Sequence, residues 1–369
     1  MILDRFELRS IRIPLKAPFE ISSYRFTAKT ALVLKGYTRN GITGWAEGEH
    51  LEAPWYTAET VKTGLDILSS VILPSLLGKS FPSVEDVKKY LSWIQGNQLS
   101  LALVDNLFHD LFARAEGASI GKFLGIEAKS VPAGVSVGLH DSPESLTDTV
   151  AERVATGYPR VKVKVKPDKD RVFLEHLRQQ FPDLPLMIDA NAAYGIEDAD
   201  HLADFDRFAL MMIEQPLHNG DLVDHAILAN RIKTPVCLDE SIHTIHDARA
   251  AAALGSCAVV NIKPPRVGGI LEVIRMQNFL HSVRIPAWCG GMFETGLGRA
   301  VNLACAGLPN FVYPGDLSPP EDYLEFDIVE EPYTLNPDGT VAIPSGPGVG
   351  VTVDIDALEK CTSLLRVFP

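Results

Sequence analysis

Apolar and polar positions change rhythm three times along the chain. In the first segment Ile2, Phe6, Leu8, Ile11 and Ile13 recur through a predicted strand. Residues 30–35 and 44–47 then flank Arg39-Asn40-Gly41, whose Asn-Gly step signals a hairpin. From about 57 to 125 the period lengthens to that of a helix. Leu101, Val104, Leu107, Leu111 and Ala113 lie in one amphipathic run, closed by Gly117. Strands followed by helices predict an α+β domain over residues 1–125.

After Val131, short apolar strands alternate with helical stretches. The strands are predicted at 131–137, 160–165, 186–189, 210–214, 236–239, 259–263, 285–289 and 311–313. Repeated βα units of roughly 25 residues predict a (β/α)8-type barrel over residues 126–315. The Pro- and Gly-rich segment 316–369 has little helical periodicity. It is expected to return to the N-terminal domain.

Composition narrows the function. Of 369 residues, 34 are Lys or Arg and 47 are Asp or Glu, a formal charge of −13. This argues against a broad nucleic-acid binder, which needs a basic face to displace counterions, and against a polybasic membrane anchor. The five cysteines are widely spaced with no Cys-x-x-Cys, so neither a disulfide framework nor a zinc knot is expected. Charged residues at positions 4, 5, 7 and 9 interrupt any signal-peptide core. The uncharged apolar stretch 250–262 has 13 residues, too few to span a bilayer. The expectation is a reduced, cytoplasmic protein with a small-molecule partner, no nucleic acid and no membrane.

The candidate chemistry lies in a spacing. Lys164, Asp189, Glu214, Asp239 and Lys263 each end a predicted strand, at intervals of 25, 25, 25 and 24 residues. In a parallel barrel all strand C-termini open at one face, where active sites form. Asp189, Glu214 and Asp239 would there stand side by side and repel one another. A hard divalent cation, Mg²⁺ or Mn²⁺, resolves the repulsion through all-oxygen ligation. Strand alternation puts Lys162 and Lys164 on one face and Val161, Val163 and Val165 on the other. The valines are expected to pack on helices, which turns the lysines into the barrel. Lys166 precedes Pro167 and is expected beyond the strand end.

Lys164 and Lys263 belong to the second and sixth predicted strands, opposite each other in an eight-strand barrel. Such a pair suits proton transfer at a carbon next to a carboxylate, with metal and cation stabilising an enediolate. A lysine base must be neutral when it acts, and the charges of Lys162 and the metal both disfavour a charge on Lys164. With three acids neutralised by metal and the lysines beside it, the mouth is expected to be locally cationic.

Longer motifs accompany these residues: Ile213-Glu-Gln-Pro-Leu217, Thr234-Pro-Val-Cys-Leu-Asp-Glu-Ser-Ile242, Val260-Asn-Ile-Lys-Pro-Pro-Arg-Val-Gly-Gly269 and Trp288-Cys-Gly-Gly-Met-Phe-Glu-Thr-Gly-Leu-Gly-Arg299. On them the chain resembles the enolase superfamily, muconate-cycloisomerase-like subgroup. Within it the chain is most similar to the o-succinylbenzoate synthase / N-succinylamino acid (N-acylamino acid) racemase family. The resemblance implies a (β/α)7β modified TIM barrel with an α+β cap that the C-terminal tail completes. It makes Lys164 the base, Lys263 its partner on the opposite face and Lys162 an electrostatic helper. Asp189, Glu214 and Asp239 would bind Mg²⁺. Asn191 and Glu240 match family positions behind the metal, and Asn191 borders the substrate with Ser136, Gly290, Gly291 and Met292. Two cap loops, around 19–26 and 49–55, would set specificity. A homo-oligomer is expected.

Pro265 departs from the glycine expected after Lys263-Pro264. Arg266 is retained, and its charge would favour neutral Lys263, as a racemase needs. Arg266→Gln is then expected to hurt racemisation more than dehydration, and equal loss in the two assays would overturn the idea. His109, His140 and His243 fall out of phase with the repeat and are read as structural. Cys289 lacks a histidine partner and is read as packing. Trp55 and Tyr56 either close on the substrate or anchor the cap.

The implied activity is Mg²⁺-dependent dehydration of 2-succinyl-6-hydroxy-2,4-cyclohexadiene-1-carboxylate to o-succinylbenzoate in menaquinone biosynthesis. The alternative is racemisation of N-succinyl or other N-acyl amino acids by the same two lysines. A more remote one is a non-catalytic metal-binding scaffold. Mandelate-type racemases carry a histidine where this chain has Ala287-Trp288-Cys289. Dipeptide epimerases carry Asp-x-Asp where Asp316-Leu317-Ser318 stands.

Overall fold

A computed structural model describes residues 1–369. Strand β1 (Leu3–Glu20) pairs antiparallel with β2 (Arg25–Thr38), and β2 pairs with β3 (Thr43–Gly48). Gly41, at φ 84°, supplies the left-handed residue of the β2–β3 turn. Phe19 pairs with Phe26 and Glu20 with Arg25, so the first expected cap loop is the tip of a long hairpin. The helix Gln98–Ala115 lies across β2 and β3. It ends at Gly117, whose φ is 63°. Leu3, Phe6, Leu8, Leu32 and Leu34 join Leu103, Leu107 and Leu111 in the core of this cap.

Eight parallel strands follow. They are β4 (Ser130–Val137), β5 (Val161–Lys164), β6 (Leu186–Asp189), β7 (Ile213–Glu214), β8 (Val236–Leu238), β9 (Val259–Ile262), β10 (Ala287–Cys289) and β11 (Gly315–Asp316). Neighbours in sequence are neighbours in space from β4 to β10. Gly315 and Asp316 return beside Ala133 and Gly134 of β4, and an Ala287–Phe311 bridge joins the β10 side. Val161 and Val163 belong to the large core shared with the surrounding helices. Met187, Met212, Cys237, Val259 and Trp288 cluster separately and fill the barrel interior.

Two strand expectations need correction. The eighth strand is Gly315–Asp316 rather than 311–313, where only Phe311 forms a bridge. Closure requires pairing with β4, and the chain reaches β4 only after Pro314. The segment 210–214 keeps hydrogen bonds to β6 through Met211 and Met212, but its regular ladder is confined to Ile213 and Glu214.

The C-terminal segment contacts both units. Strand β12 (Thr340–Ala342) pairs antiparallel with β4. Strand β13 (Thr362–Phe368) pairs with β1, setting Phe368 beside Phe6. No helix is long and apolar enough to cross a membrane.

Candidate active site

The strand register brings the ionisable repeat together. Lys164 lies beside Asp189 across the β5–β6 ladder, and Asp189 lies beside Glu214 across β6–β7. Asp239 and Lys263 follow the last residues of β8 and β9. All five are buried, as is Lys162. Lys166 falls past the end of β5, half-buried and 3.8 Å from Glu20.

Each carboxylate is paired with a basic side chain. Lys164 Nζ donates to Asp189 Oδ2 at 2.5 Å and to Asn191 Oδ1 at 2.8 Å. Lys162 Nζ donates to Glu214 Oε2 at 2.7 Å and stands 3.2 Å from Asp189 Oδ2. It also reaches Asp316 Oδ2 on β11, at 2.6 Å, and its ammonium lies 4.9 Å from the Trp288 ring centre. Lys263 Nζ donates to Asp239 Oδ2 and to the Tyr56 hydroxyl, both at 2.9 Å. Arg266 donates to Asp239 Oδ1, to the Tyr56 hydroxyl at 2.9 Å, to the Ile242 carbonyl and to the Asn261 carbonyl. The anticipated repulsion among the acids is thus absorbed by interleaved cations.

Five carboxylates (Asp189, Glu214, Asp239, Glu240, Asp316) meet five basic groups (Arg160, Lys162, Lys164, Lys263, Arg266). In formal charge these five acids and five bases balance; the cationic mouth expected from the sequence assumes a bound metal.

Titration follows from this pairing. Burial works to raise the Asp189 carboxyl, but the Lys164 and Lys162 ammoniums outweigh it and hold Asp189 well below the usual range. Burial, reinforced by the charge of Asp189, pushes Glu214 up. The same two causes bring Glu240 to about 7, because Glu240 has only the Asn191 amide, at 2.8 Å, as a direct partner. Burial would lower Lys263, yet Tyr56, Glu214 and Glu240 raise it above its ordinary value. The Arg266 guanidinium, expected to favour neutral Lys263, is itself paired with Asp239.

The donor set suits a hard divalent cation in kind. Asp189, Glu214 and Asp239 offer only oxygens, and Glu240 Oε2 and Asn261 Oδ1 are buried there without a hydrogen-bond partner. No three acidic, imidazole or thiol side chains stand close enough to enclose a cation. The lysines and Arg266 hold the oxygens that a cation would take.

A cavity of about 420 Å³ lies above these groups. Lys164, Lys263, Asn191 and Ser136 reach it, as do Gly291 and Met292. The cap supplies Phe19, Ile21 and Phe26 from the β1–β2 tip, Leu51 from the second expected loop and Tyr56 from just past it. Gly290 sits just behind. A Cβ there would lie 2.6 Å from Lys263 Cε, so glycine allows the lysine its position. A Cβ on Gly291 would lie 2.5 Å from the Asp316 carbonyl oxygen. Asn191 and Gln215 hold φ of 44° and 38° just past their strands, and Phe293 holds 59°. Such backbones persist only where the surroundings over-determine them. Gln215 is fixed by accepting the Asp239 and Ser241 amides while donating to Leu217 and Ser241. Pro264 and Pro265 open a short helix, Pro264–Val267, at positions where a missing N–H leaves nothing unpaired.

Sequence reasoning missed Asp316 and Arg160. Arg160 donates to Asp316 Oδ1 at 2.7 Å and to the Pro314 carbonyl. Asp316 ends the eighth strand 53 residues after Lys263, three more than two repeat units of 25, so the spacing alone points to position 313 instead. Of the two aromatic candidates Tyr56 is central: its hydroxyl meets Asp239, Lys263 and Arg266, while Trp55 stacks on Tyr24. His140 lines the cavity wall and pairs with Ser145, whereas His109 is buried in the cap against Asp105. Burial pushes the Cys289 thiol well above its ordinary value, consistent with packing.

Two family models match the chain. Residues 6–125 match the mandelate racemase / muconate lactonizing enzyme N-terminal domain, and residues 145–357 match the enolase C-terminal domain-like family. An o-succinylbenzoate synthase of Geobacillus stearothermophilus is 41% identical over 361 residues, covering 98% of this chain and 96% of the relative. An N-succinylamino acid racemase of Amycolatopsis sp. is 40% identical over 364 residues, covering 98% of each. Among solved structures, an enolase-superfamily member from Listeria innocua superposes with a TM-score of 0.96 at 38% identity, covering 100% of this chain and 99% of the other. Muconate lactonizing enzyme from Pseudomonas putida superposes at 0.90 with 20% identity, over 98% and 100% of the chains, a likeness of fold alone.

Proposed function

Since the chain belongs to the enolase superfamily, and carries its mandelate racemase / muconate lactonizing enzyme N-terminal domain, we propose that it is an o-succinylbenzoate synthase. It removes water from 2-succinyl-6-hydroxy-2,4-cyclohexadiene-1-carboxylate, a step of menaquinone biosynthesis. One observation carries the reading beyond family membership. Lys164 and Lys263, from strands four apart in an eight-strand barrel, line a single cavity. The full-length match to synthases at 37–41% identity supports it.

In this reading the proton next to the ring carboxylate passes to the Lys164 amine. The hydroxyl leaves from the neighbouring carbon, and proton and hydroxyl together make the water lost as the ring becomes aromatic. The Lys263 ammonium faces the carboxylate and stabilises the charge that develops there. Lys162 holds Glu214 and Asp316 in place at 2.7 and 2.6 Å. Ser136, Asn191 and the 290–292 turn border the substrate, and Glu240 and Arg266 support the groups beneath. Asp189, Glu214 and Asp239 would hold Mg²⁺ or Mn²⁺, which would polarise the substrate carboxylate. The apolar cap residues keep water from the reacting carbon.

The two-lysine arrangement also suits racemisation of N-succinyl or N-acyl amino acids, with one lysine taking the proton and the other returning it. The similar identity of the Amycolatopsis racemase favours testing both activities in one preparation. Self-assembly is part of the proposal, supported by edge strand β13, which shows Leu364, Leu365 and Val367 to solvent. The test measures Mg²⁺-dependent dehydration, racemisation and α-proton exchange in D₂O. Dehydration by the native chain and loss of exchange in Lys164→Ala are expected. Exchange persisting in that variant would overturn the choice of base, and absence of both turnovers would favour the scaffold reading.

A further inference from the structure

The cavity wall formed by residues 290–295 does not hold its shape alone. Phe293 sits at φ 59°, a left-handed backbone that an aromatic residue rarely adopts. The peptide groups on its N-terminal side are pinned from two directions. The Met292 amide donates to Glu294 Oε1 at 2.6 Å. The Met292 carbonyl accepts from Lys29 Nζ at 3.3 Å, and Lys29 belongs to strand β2 of the cap. Two residues after Phe293, Thr295 caps the helix Gly296–Ala306. Its amide and hydroxyl, and the Gly298 amide, all donate to Glu47 on cap strand β3. A Cβ on Gly298 would lie 2.8 Å from Glu47 Oε2, so the glycine admits that carboxylate. The Phe293 ring itself meets Phe19 of the cap edge-on, with centroids 4.9 Å apart.

Lys29, Glu47 and Glu49 are all buried, and Lys29 pairs with both acids. Burying a lysine costs free energy unless it is paired and hydrogen-bonded. An apolar residue at position 29 would fill the same space, but it would leave the Met292 carbonyl without its donor and two acids without their cation.

We propose that Lys29 and Glu47 are positioning residues: from the cap strands they hold Met292 and Thr295, and so set the shape of the turn that walls the substrate cavity. Docking of the cap then acts on specificity in two ways, through its hairpin tip in the cavity and through this buried latch behind the wall. The inference deepens the proposed function, because it rests on residues 290–292 bordering the substrate.

The test uses the full chain. Lys29→Met combined with Glu49→Gln removes one buried pair without changing the net charge, and it frees the Met292 carbonyl. Hydrogen–deuterium exchange at the Met292 amide is expected to rise at least tenfold, with β5, β6 and β9 amides unchanged. KM for the turned-over substrate is expected to rise about tenfold with kcat within about threefold. Glu49→Gln alone keeps the Lys29–Met292 bond and should exchange as the native chain does. Uniform exchange across the barrel, unchanged exchange at Met292, or opening by Glu49→Gln alone would each overturn the proposal. If the double variant does not fold, Glu47→Gln reads the same latch. Faster exchange confined to Thr295 and Gly298 supports it, and unchanged exchange there refutes it. Exchange needs no turnover, so absence of activity in the native chain would defeat the proposed function while leaving this inference decided on its own terms.

Discussion

Replacing Asp316 by Asn tests whether closure of the barrel organises the charged site. Asp316 accepts from Lys162 at 2.6 Å and from Arg160 at 2.7 Å, and both bases are almost wholly buried. Asparagine keeps one acceptor oxygen but turns an NH₂ toward the other base. Lys162 would retain Glu214 at 2.7 Å and Asp189 at 3.2 Å, so it would not be left unpaired. Arg160 would lose its carboxylate and keep backbone carbonyls of Pro314 and Val135. Removing one partner of a buried pair costs about 3–5 kcal/mol when the other is orphaned, and a charge-assisted hydrogen bond contributes about 1.5–3 kcal/mol. With these partial substitutes the expected loss is about 2–3 kcal/mol, a fall in Tm of about 4–9 °C at roughly 2–3 °C per kcal/mol. Burial would raise Asp316, but the Lys162 and Arg160 charges hold its carboxyl well below the ordinary range. A depressed acid stabilises the fold above its unfolded pKa and loses that contribution as pH falls toward its folded value. The gap between native and variant should therefore be constant from about pH 6 to 8 and narrow below about 4. Thermal unfolding followed by circular dichroism across this range is the assay. A Tm within about 1 °C of the native value at neutral pH would refute the reasoning.

Burial pushes the Asp327 carboxyl, which accepts the Gly296 amide at 2.8 Å, up to about 7, with the charge of Glu47 adding to the effect. A raised acid stabilises below its unfolded pKa and loses that contribution as pH rises through 7. Native stability should thus fall by about 2–4 kcal/mol relative to Asp327→Asn between about pH 4 and 8. Parallel denaturant titrations of the two proteins would contradict this. Tyr56→Phe removes the hydroxyl shared by Asp239, Lys263 and Arg266, and kcat should fall about tenfold, the loss of one charge-assisted hydrogen bond of about 1.5 kcal/mol. Unchanged steady-state kinetics would show that Tyr56 does not hold Lys263. Mg²⁺ at about a hundred times its Kd should stabilise the native chain by about 2.7 kcal/mol in a thermal-shift measurement, and Glu214→Gln should abolish the effect. A native chain indifferent to Mg²⁺ would overturn the assignment of the carboxylate oxygens.

The local sequence determined the parts that repeat. A βα unit of nearly constant length fixes the phase at which strands end, so Lys164, Asp189, Glu214, Asp239 and Lys263 were bound to converge once the strands ran parallel. Alternation along β5 likewise decided that Val161 and Val163 face the helices while Lys162 and Lys164 face inward. Neither inference needs contacts between distant residues. The tertiary structure decided everything that depends on closure. Asp316 reaches Lys162 only because the eighth strand returns to the first. Lys29 and Glu47 reach the barrel only because the cap docks on its mouth, and nothing in their own neighbourhoods marks them; Tyr56, a candidate from the sequence, gains its three polar partners in the same way. The electrostatic state was decided there as well. The sequence placed three acids on adjacent strands and implied repulsion, whereas the folded mouth threads basic groups between them. Pairing between side chains far apart in the chain is set by which strands and domains pack together, and residue spacing carries no record of it.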